Sequence, residues 1–258
     1  MCLLVMVSRP DAHEPLVVAA NRDERLERPA EAVTVLREIG PRVLGGRDLL
    51  AGGTWLAVNE HGVVAGLTNA PTSVGRDPTK RSRGALPLLA AGHRSARAAA
   101  AALADEVVPT EYNPAWMLVG DRREVFAVTV AGARPTVVAL PPGTHVLENG
   151  PPGGPSAKVH HVELLVGQLP ADLPVEDLHR LLAAVLADHR PAPGGEGDAG
   201  RDRARPPATL AACVHAEGFG TRSSALVTVP DDPSRLPTVE VADGPPCQAP
   251  FVDRSALW

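Results

Sequence analysis

Cys2-Leu3-Leu4-Val5-Met6-Val7-Ser8 and Pro15-Leu16-Val17-Val18-Ala19-Ala20-Asn21-Arg22-Asp23-Glu24-Arg25 are the two stretches that decide the fold. Each begins as a short apolar run with β-branched residues in it. The polar segment Arg9-Pro10-Asp11-Ala12-His13-Glu14 joins them, which reads as a β-hairpin. If residues 8 and 15 flank the turn, paired positions sum to about 23, so Cys2 stands opposite Asn21. Side chains alternate faces along a strand. Asn21 and Asp23 are then expected on the face of Cys2, with Arg22 joining them only through a bulge. The polar residues from Asn21 onward read as the end of the strand.

Outward from this hairpin the pattern repeats. Residues 54–58 and 63–68 flank Asn59-Glu60-His61-Gly62, a four-residue hairpin turn. Residues 85–104 are rich in Ala and Leu, interrupted only by Pro87 and Gly92, and read as a helix or a broken pair of helices. Strands are expected near 116–119, 124–130, 134–139, 223–229 and 237–241. The apolar spacing of 175–188 predicts a helix. Residues 190–207, rich in Pro, Gly and alternating charge, read as a disordered surface loop. Hairpin-linked strands with segregated helices indicate an α+β domain spanning 1–258, not a doubly wound fold.

Composition narrows the function. The chain has 258 residues, with 24 Gly, 27 Pro and only 3% aromatics, so its core is built from small aliphatics. The net charge is −5, and no basic stripe is interleaved with aromatics, which argues against nucleic-acid binding. No apolar run reaches membrane-span length. The start lacks the basic segment of a signal peptide. With three cysteines and no CxxC, a reducing, cytoplasmic setting is expected. The nine histidines show no metal-binding spacing, so no metal site is expected. No phosphate loop or nucleophile elbow is present.

Several residues could carry chemistry. Cys2 follows Met1 directly, and removal of Met1 would leave a cysteine bearing a thiol and a free α-amine. An α-amine titrates near pH 8, so it can act as general base for its own thiol. Alternatively Cys2 is a small apolar residue that begins a strand. An arginine beside the thiol would favour thiolate, and an aspartate would orient the ammonium or the arginine. Counting back through the second hairpin puts Asn69, after Thr68, opposite Gly52-Gly53, where glycines would let a ligand approach the backbone. Asn149 precedes Gly150-Pro151 and could aim its amide at an oxyanion, or serve the turn alone. Arg222 precedes an apolar strand and could clamp a carboxylate, or lie on the surface. Trp55, Trp116 and Phe219 are the candidate large pocket walls.

As an ordered set, Ala-Ala-Asn-Arg-Asp-Glu (19–24), Gly-Gly-Thr-Trp-Leu (52–56), Gly-Val-Val-Ala-Gly-Leu-Thr-Asn (62–69), Ser-Arg-Gly (82–84) and Gly-Thr-Arg-Ser-Ser (220–224) resemble the NRDE family. That family, also called transport and Golgi organisation protein-like, is similar to N-terminal-nucleophile (Ntn) hydrolases of the penicillin V acylase and bile salt hydrolase group. The resemblance implies a four-layer αββα sandwich of antiparallel sheets. It implies Cys2 as nucleophile, Asn149 as oxyanion donor and Arg222 as the late-strand arginine. The Arg and Asp of the second-strand motif, three apart in those hydrolases, are adjacent here. Either Arg22 and Asp23 or Asn21 and Glu24 take their places, and the first pair is preferred. The expected activity is cleavage of a linear amide or thioester through an acyl-cysteine. Asn21, Thr68 and Asn69 are expected to contact the small-molecule substrate, with no cofactor. The rival expectation is a non-enzymatic carrier of haem or an acyl lipid on the same scaffold, with Cys2 as the haem ligand. His13, at the first hairpin turn, is too remote for that role.

Overall fold

The computed structural model describes residues 2–167, 169–170, 173–194 and 207–258. The first strands are β1 (Cys2–Ser8), β2 (Leu16–Arg25), β3 (Ala30–Arg37), β4 (Val43–Asp48), β5 (Leu56–Asn59) and β6 (Val64–Asn69). Two helices follow, α1 (Ala85–Ala90) and α2 (Ala96–Glu106). Next come β7 (Ala115–Gly120), β8 (Val125–Val130), β9 (Thr136–Leu140) and β10 (Gly143–Leu147). Helices α3 (Ala157–Val166) and α4 (Val175–Leu186) precede β11 (His215–Ala216), β12 (Phe219–Val229), β13 (Thr238–Ala242) and β14 (Val252–Asp253).

The strands form two antiparallel sheets. One has the order β10-β1-β2-β12-β13-β14, with β11 paired to β12, and the other runs β3 to β9 in sequence order. Alternate residues of β1 and β2 serve two cores. Leu4, Met6, Leu16, Val18 and Ala20 meet Leu44, Leu56, Val58 and Leu118 of the second sheet. Leu3, Val5, Val7, Val17 and Ala19 meet Val162 of α3 and Leu178, Leu182 and Leu186 of α4. The outer face of the second sheet is covered by α1 and α2 through Leu86, Ala99 and Leu103. The layers are therefore αββα, as expected. Burial on both faces is why β1 reads as a continuous apolar run and not an alternating one.

The expected helices over 85–104 and 175–188 are present, the first as the pair α1 and α2. Ser95 caps α2 by accepting from the Ala98 N–H. Three expectations change. Strand β2 does not stop at Ala20 but continues to Arg25 with Asn21, Arg22 and Asp23 buried. Helix α3, in which Ser156 is the N-cap, was not among the expected elements. Strands β3 and β4 were not among the expected strands. Most of the expected disordered loop, residues 195–206, lies outside the described residues. On its flank, Ala192 is buried. Among the described residues no helix is long and apolar enough to cross a membrane.

Candidate active site

The register of the first hairpin arranges the site. Pro15 has no N–H to give the ladder; its carbonyl accepts from the Arg9 N–H at 2.7 Å. In the same register Ser8 stands opposite Leu16 and Cys2 opposite Arg22. The expected partner, Asn21, instead pairs with Leu3. Directly opposed residues share a face, so Arg22, not Asn21 and Asp23, stands on the side of Cys2. A slip of one residue exchanges the two faces.

On that side lies a cleft of about 480 Å³ with Cys2 in its wall. Six arginines (Arg22, Arg25, Arg28, Arg76, Arg81, Arg83) line it against Glu24 and Asp48, so the cleft is cationic; Asp23 also borders it, but its carboxylate is engaged by Thr221 and Lys158 on the other face of β2. Trp55 lines it too, whereas Trp116 and Phe219 do not. The Trp55 indole lies on Gly46, where a Cβ would fall 2.0 Å from the ring. The Arg22 guanidinium stacks on the same ring, 4.3 Å from its centroid. Arg22 also approaches Asp48 at 3.9 Å, and Arg28 binds Asp48 at 2.8 Å. The glycines expected to admit a ligand serve the chain itself at one position. Gly53, at φ +80°, presses on Gly84, and a Cβ there would meet the Gly84 carbonyl carbon at 2.5 Å. Thr54 N–H donates to the Gly84 carbonyl at 3.0 Å. This backbone contact joins the Gly-Gly-Thr and Ser-Arg-Gly segments and presents Arg83 to the cleft.

Burial pushes the Cys2 thiol above its ordinary value. The N-terminal ammonium, the Asp23 backbone N–H and Arg22 act against burial, and the Asp23 charge adds to it. The thiol is therefore neutral at pH 7, and its attack needs a base. Asn149 sits beside it. Its Oδ1 accepts from the Cys2 main-chain nitrogen at 3.1 Å, and its Nδ2 donates to the Asn69 carbonyl at 2.5 Å. Asn69 lines the cleft. Thr68 does not: it is buried, and its hydroxyl donates to the Glu148 carbonyl at 2.8 Å, tying the two sheets together.

The other face of β2 is a buried polar layer under α3 and α4. Asn21 donates to the carbonyls of Leu186 and Ala212, each at 2.9 Å, and accepts from Ser224 Oγ at 2.6 Å. Its polar atoms are thus engaged on the helix side, and the expectation that it contacts substrate gives way to a fastening role. Asp23 accepts from Thr221 Oγ1 at 2.7 Å and faces Lys158 at 3.7 Å, with both charged residues almost fully buried. Burial raises the Asp23 carboxyl above its ordinary value, against the pull of Lys158, the N-terminal ammonium and Thr221. Ser156 places Lys158 by capping α3 with its oxygen and donating to Glu148 Oε1 at 2.6 Å. Arg222 is the extra residue of a bulge in β12, between Thr221 and Ser223, and is not part of the cleft lining.

The sequence reading missed Lys158, Asp48 and Arg83. Lys158 carried one faint signal, since only it and Lys80 are lysines in a chain otherwise using arginine. The reading also expected no metal ligands. Outside the cleft lining, however, His189, Cys213, His215 and Cys247 bring four ligand atoms within 4.8 Å of one another.

Two antiparallel sheets between helical layers, with a cysteine at the start of the central hairpin, define an Ntn-hydrolase-like fold, and solved structures agree. Penicillin V acylase from Agrobacterium tumefaciens superposes with a TM-score of 0.57 at 11% identity, covering 99% of this chain and 86% of that one. An N-acylethanolamine-hydrolyzing acid amidase ortholog from Caenorhabditis elegans gives 0.54 at 10% identity, covering 91% and 94%. A conjugated bile acid hydrolase from Clostridium perfringens gives 0.52 at 12%, covering 99% and 93%. Within this fold, the chain belongs to the Transport and Golgi organisation 2 family, whose model matches residues 1–241. The Transport and Golgi organization protein 2 homolog of Bos taurus is 29% identical over 230 residues, covering 84% of this chain and 83% of its own.

Proposed function

We propose that the protein is an N-terminal-nucleophile hydrolase that cleaves a linear amide or thioester through an acyl-Cys2 intermediate. One observation carries the reading: the Cys2 side chain opens onto a cationic cleft while its main-chain nitrogen is held on Asn149 Oδ1 at 3.1 Å. Removal of Met1 turns that nitrogen into an α-amine. The thiol proton passes to the amine as sulfur bonds to the substrate carbonyl carbon, and the carbonyl electron pair moves to oxygen. One Nδ2 hydrogen of Asn149 is given to Asn69, and the second serves the oxyanion, with a main-chain N–H near Thr68 or Asn69. Collapse expels the leaving amine or thiol, which takes the proton, and water then hydrolyses the acyl-cysteine with the amine as base.

Arg22 faces the thiol, and the arginine excess favours a substrate with a carboxylate or phosphate. Asp23, held by Thr221 and Lys158, orients the new ammonium from the far face. A reducing, cytoplasmic compartment suits the free thiol. The test is intact-mass analysis of untagged protein incubated with a panel of acyl amides and acyl thioesters bearing a carboxylate. The expected result is loss of Met1 and an acyl adduct on Cys2, absent in Cys2→Ala. Turnover unchanged in Cys2→Ala overturns the reading. The same cationic lining also suits an anionic amphiphile held without turnover. A Soret band on adding haem, lost in Cys2→Ala and kept in Asn149→Ala, would favour that carrier reading.

A further inference from the structure

Behind β12, at the end of the first sheet, three distant segments bring together two imidazoles and two thiols. His189 follows α4, Cys213 precedes β11, His215 begins it, and Cys247 lies between β13 and β14. Cys213 Sγ is 3.8 Å from Cys247 Sγ and 3.5 Å from His215 Nε2, and His215 Nε2 is 3.4 Å from Cys247 Sγ. These spacings can be compared with a cation's demands. A tetrahedral zinc with Zn–S near 2.3 Å and Zn–N near 2.0–2.1 Å requires S···S of about 3.8 Å and S···N of about 3.5 Å. The three separations match those values. The fourth ligand is close, since all four ligand atoms fall within 4.8 Å and the His189 ring centroid is 5.0 Å from that of His215.

We propose that His189, Cys213, His215 and Cys247 form a structural zinc site that fastens the end of α4 to β11 and to the loop after β13. The donor set is two thiols and two imidazoles, which selects zinc over hard oxygen-seeking cations. With four protein ligands the coordination shell is closed, so the site holds structure and offers no open position for catalysis. On binding, the two thiol protons pass to solvent, and two thiolates neutralise the dication. Cys213 is buried and the other three ligands are exposed, so a cation can enter from solvent.

The site also touches the region behind the nucleophile. Val214, between two of the ligands, exchanges a pair of hydrogen bonds with Thr221. Its N–H donates to Thr221 Oγ1 at 2.9 Å, and its carbonyl accepts from the Thr221 N–H at 2.8 Å. Thr221 Oγ1 in turn donates to Asp23 Oδ1. The cation thus pins the strand that supports Asp23.

The experiment measures metal content in the full chain, purified without chelator. The expected result is about one zinc per chain in the wild type and in Cys2→Ala, with a loss of about tenfold or more in Cys247→Ser and in Cys213→Ser/Cys247→Ser. Cys247 is exposed, so its substitution alone leaves the core intact should the double variant fail to fold. Cobalt(II) added to the metal-free chain is expected to give the visible bands of tetrahedral thiolate coordination, absent in Cys247→Ser. Two results would overturn the proposal. One is no retained metal and no cobalt bands, with both thiols free by alkylation. The other is an intact mass lighter by two hydrogens that maps to a Cys213–Cys247 disulfide.

Discussion

Asp23 and Asp48 stand on opposite sides of the same hairpin end, and burial affects them differently. Asp23, on the helix side, has Thr221 and Lys158 for partners, and burial wins, so its carboxyl is raised. Asp48, on the cleft side, also pays for burial. The Ala51 and Leu50 N–H groups and Arg28 outweigh it, and its carboxyl is lowered. The helix side is a dry polar layer that fixes where β2 lies. The cleft side is a charged wall that can meet a ligand. Residues adjacent in sequence, Arg22 and Asp23, are thus assigned to different tasks by the pleat alone.

The largest expected effect breaks the dry side. Removing one partner of a buried ion pair leaves the other uncompensated, which costs about 3–5 kcal/mol. Lys158→Met should lower the unfolding free energy obtained from urea titration by that much. Asp23→Asn/Lys158→Met should recover most of the loss, because the uncompensated charge is gone. A double variant as unstable as the single would mean that Lys158 acts through packing and not through its charge.

The comparison also explains what the sequence could and could not show. The β1–β2 hairpin was legible because six of the seven residues of β1 and the first part of β2 are apolar, and only a strand covered on both faces reads that way. The αββα order followed from the resemblance and from hairpin-linked strands. The register was not legible, because the turn composition does not fix how many residues the loop takes, and one residue more or less moves every pair. The polar run from Asn21 to Asp23 looked like a solvated strand end, because its partners, Leu186, Ala212, Lys158 and Thr221, lie far away in sequence. Strand β4 gave no strand signal, because Gly45-Gly46 carries no side chains to form an apolar run. Gly46 leaves room for the Trp55 ring that backs Arg22. Cys2 and Asn149 were legible because each sits at a strand end with a distinctive neighbour, an initiator Met and a Gly-Pro turn.

A smaller effect should appear in activity. Asn149 touches both the Cys2 nitrogen and the Asn69 carbonyl. As an oxyanion donor its loss costs roughly 10²–10³ in rate. Asn149→Ala is expected to lower turnover by that factor while the unfolding midpoint moves far less than in Lys158→Met. Equal damage to stability and none to turnover would place Asn149 with the fastening residues of the helix side.

The smallest effect, and the one that sharpens the contrast most, is in acid. A carboxyl raised in the folded chain keeps its proton after the unfolded chain has lost it. Asp23 therefore contributes stability below the ordinary value of 3.8, and this is lost as pH rises through its folded value. Asp48 has the opposite sign. Its contribution is present above 3.8 and is lost as pH falls through its lower folded value. One proton sets the slope of each limb at no more than about 1.4 kcal/mol per pH unit. In stability curves taken through this range, Asp23→Asn should remove a descending limb just above pH 3.8, and Asp48→Asn an ascending limb just below it. If both substitutions changed the curve with the same sign, the two faces of β2 would share one electrostatic environment. The division between a dry support and a charged wall would then fail.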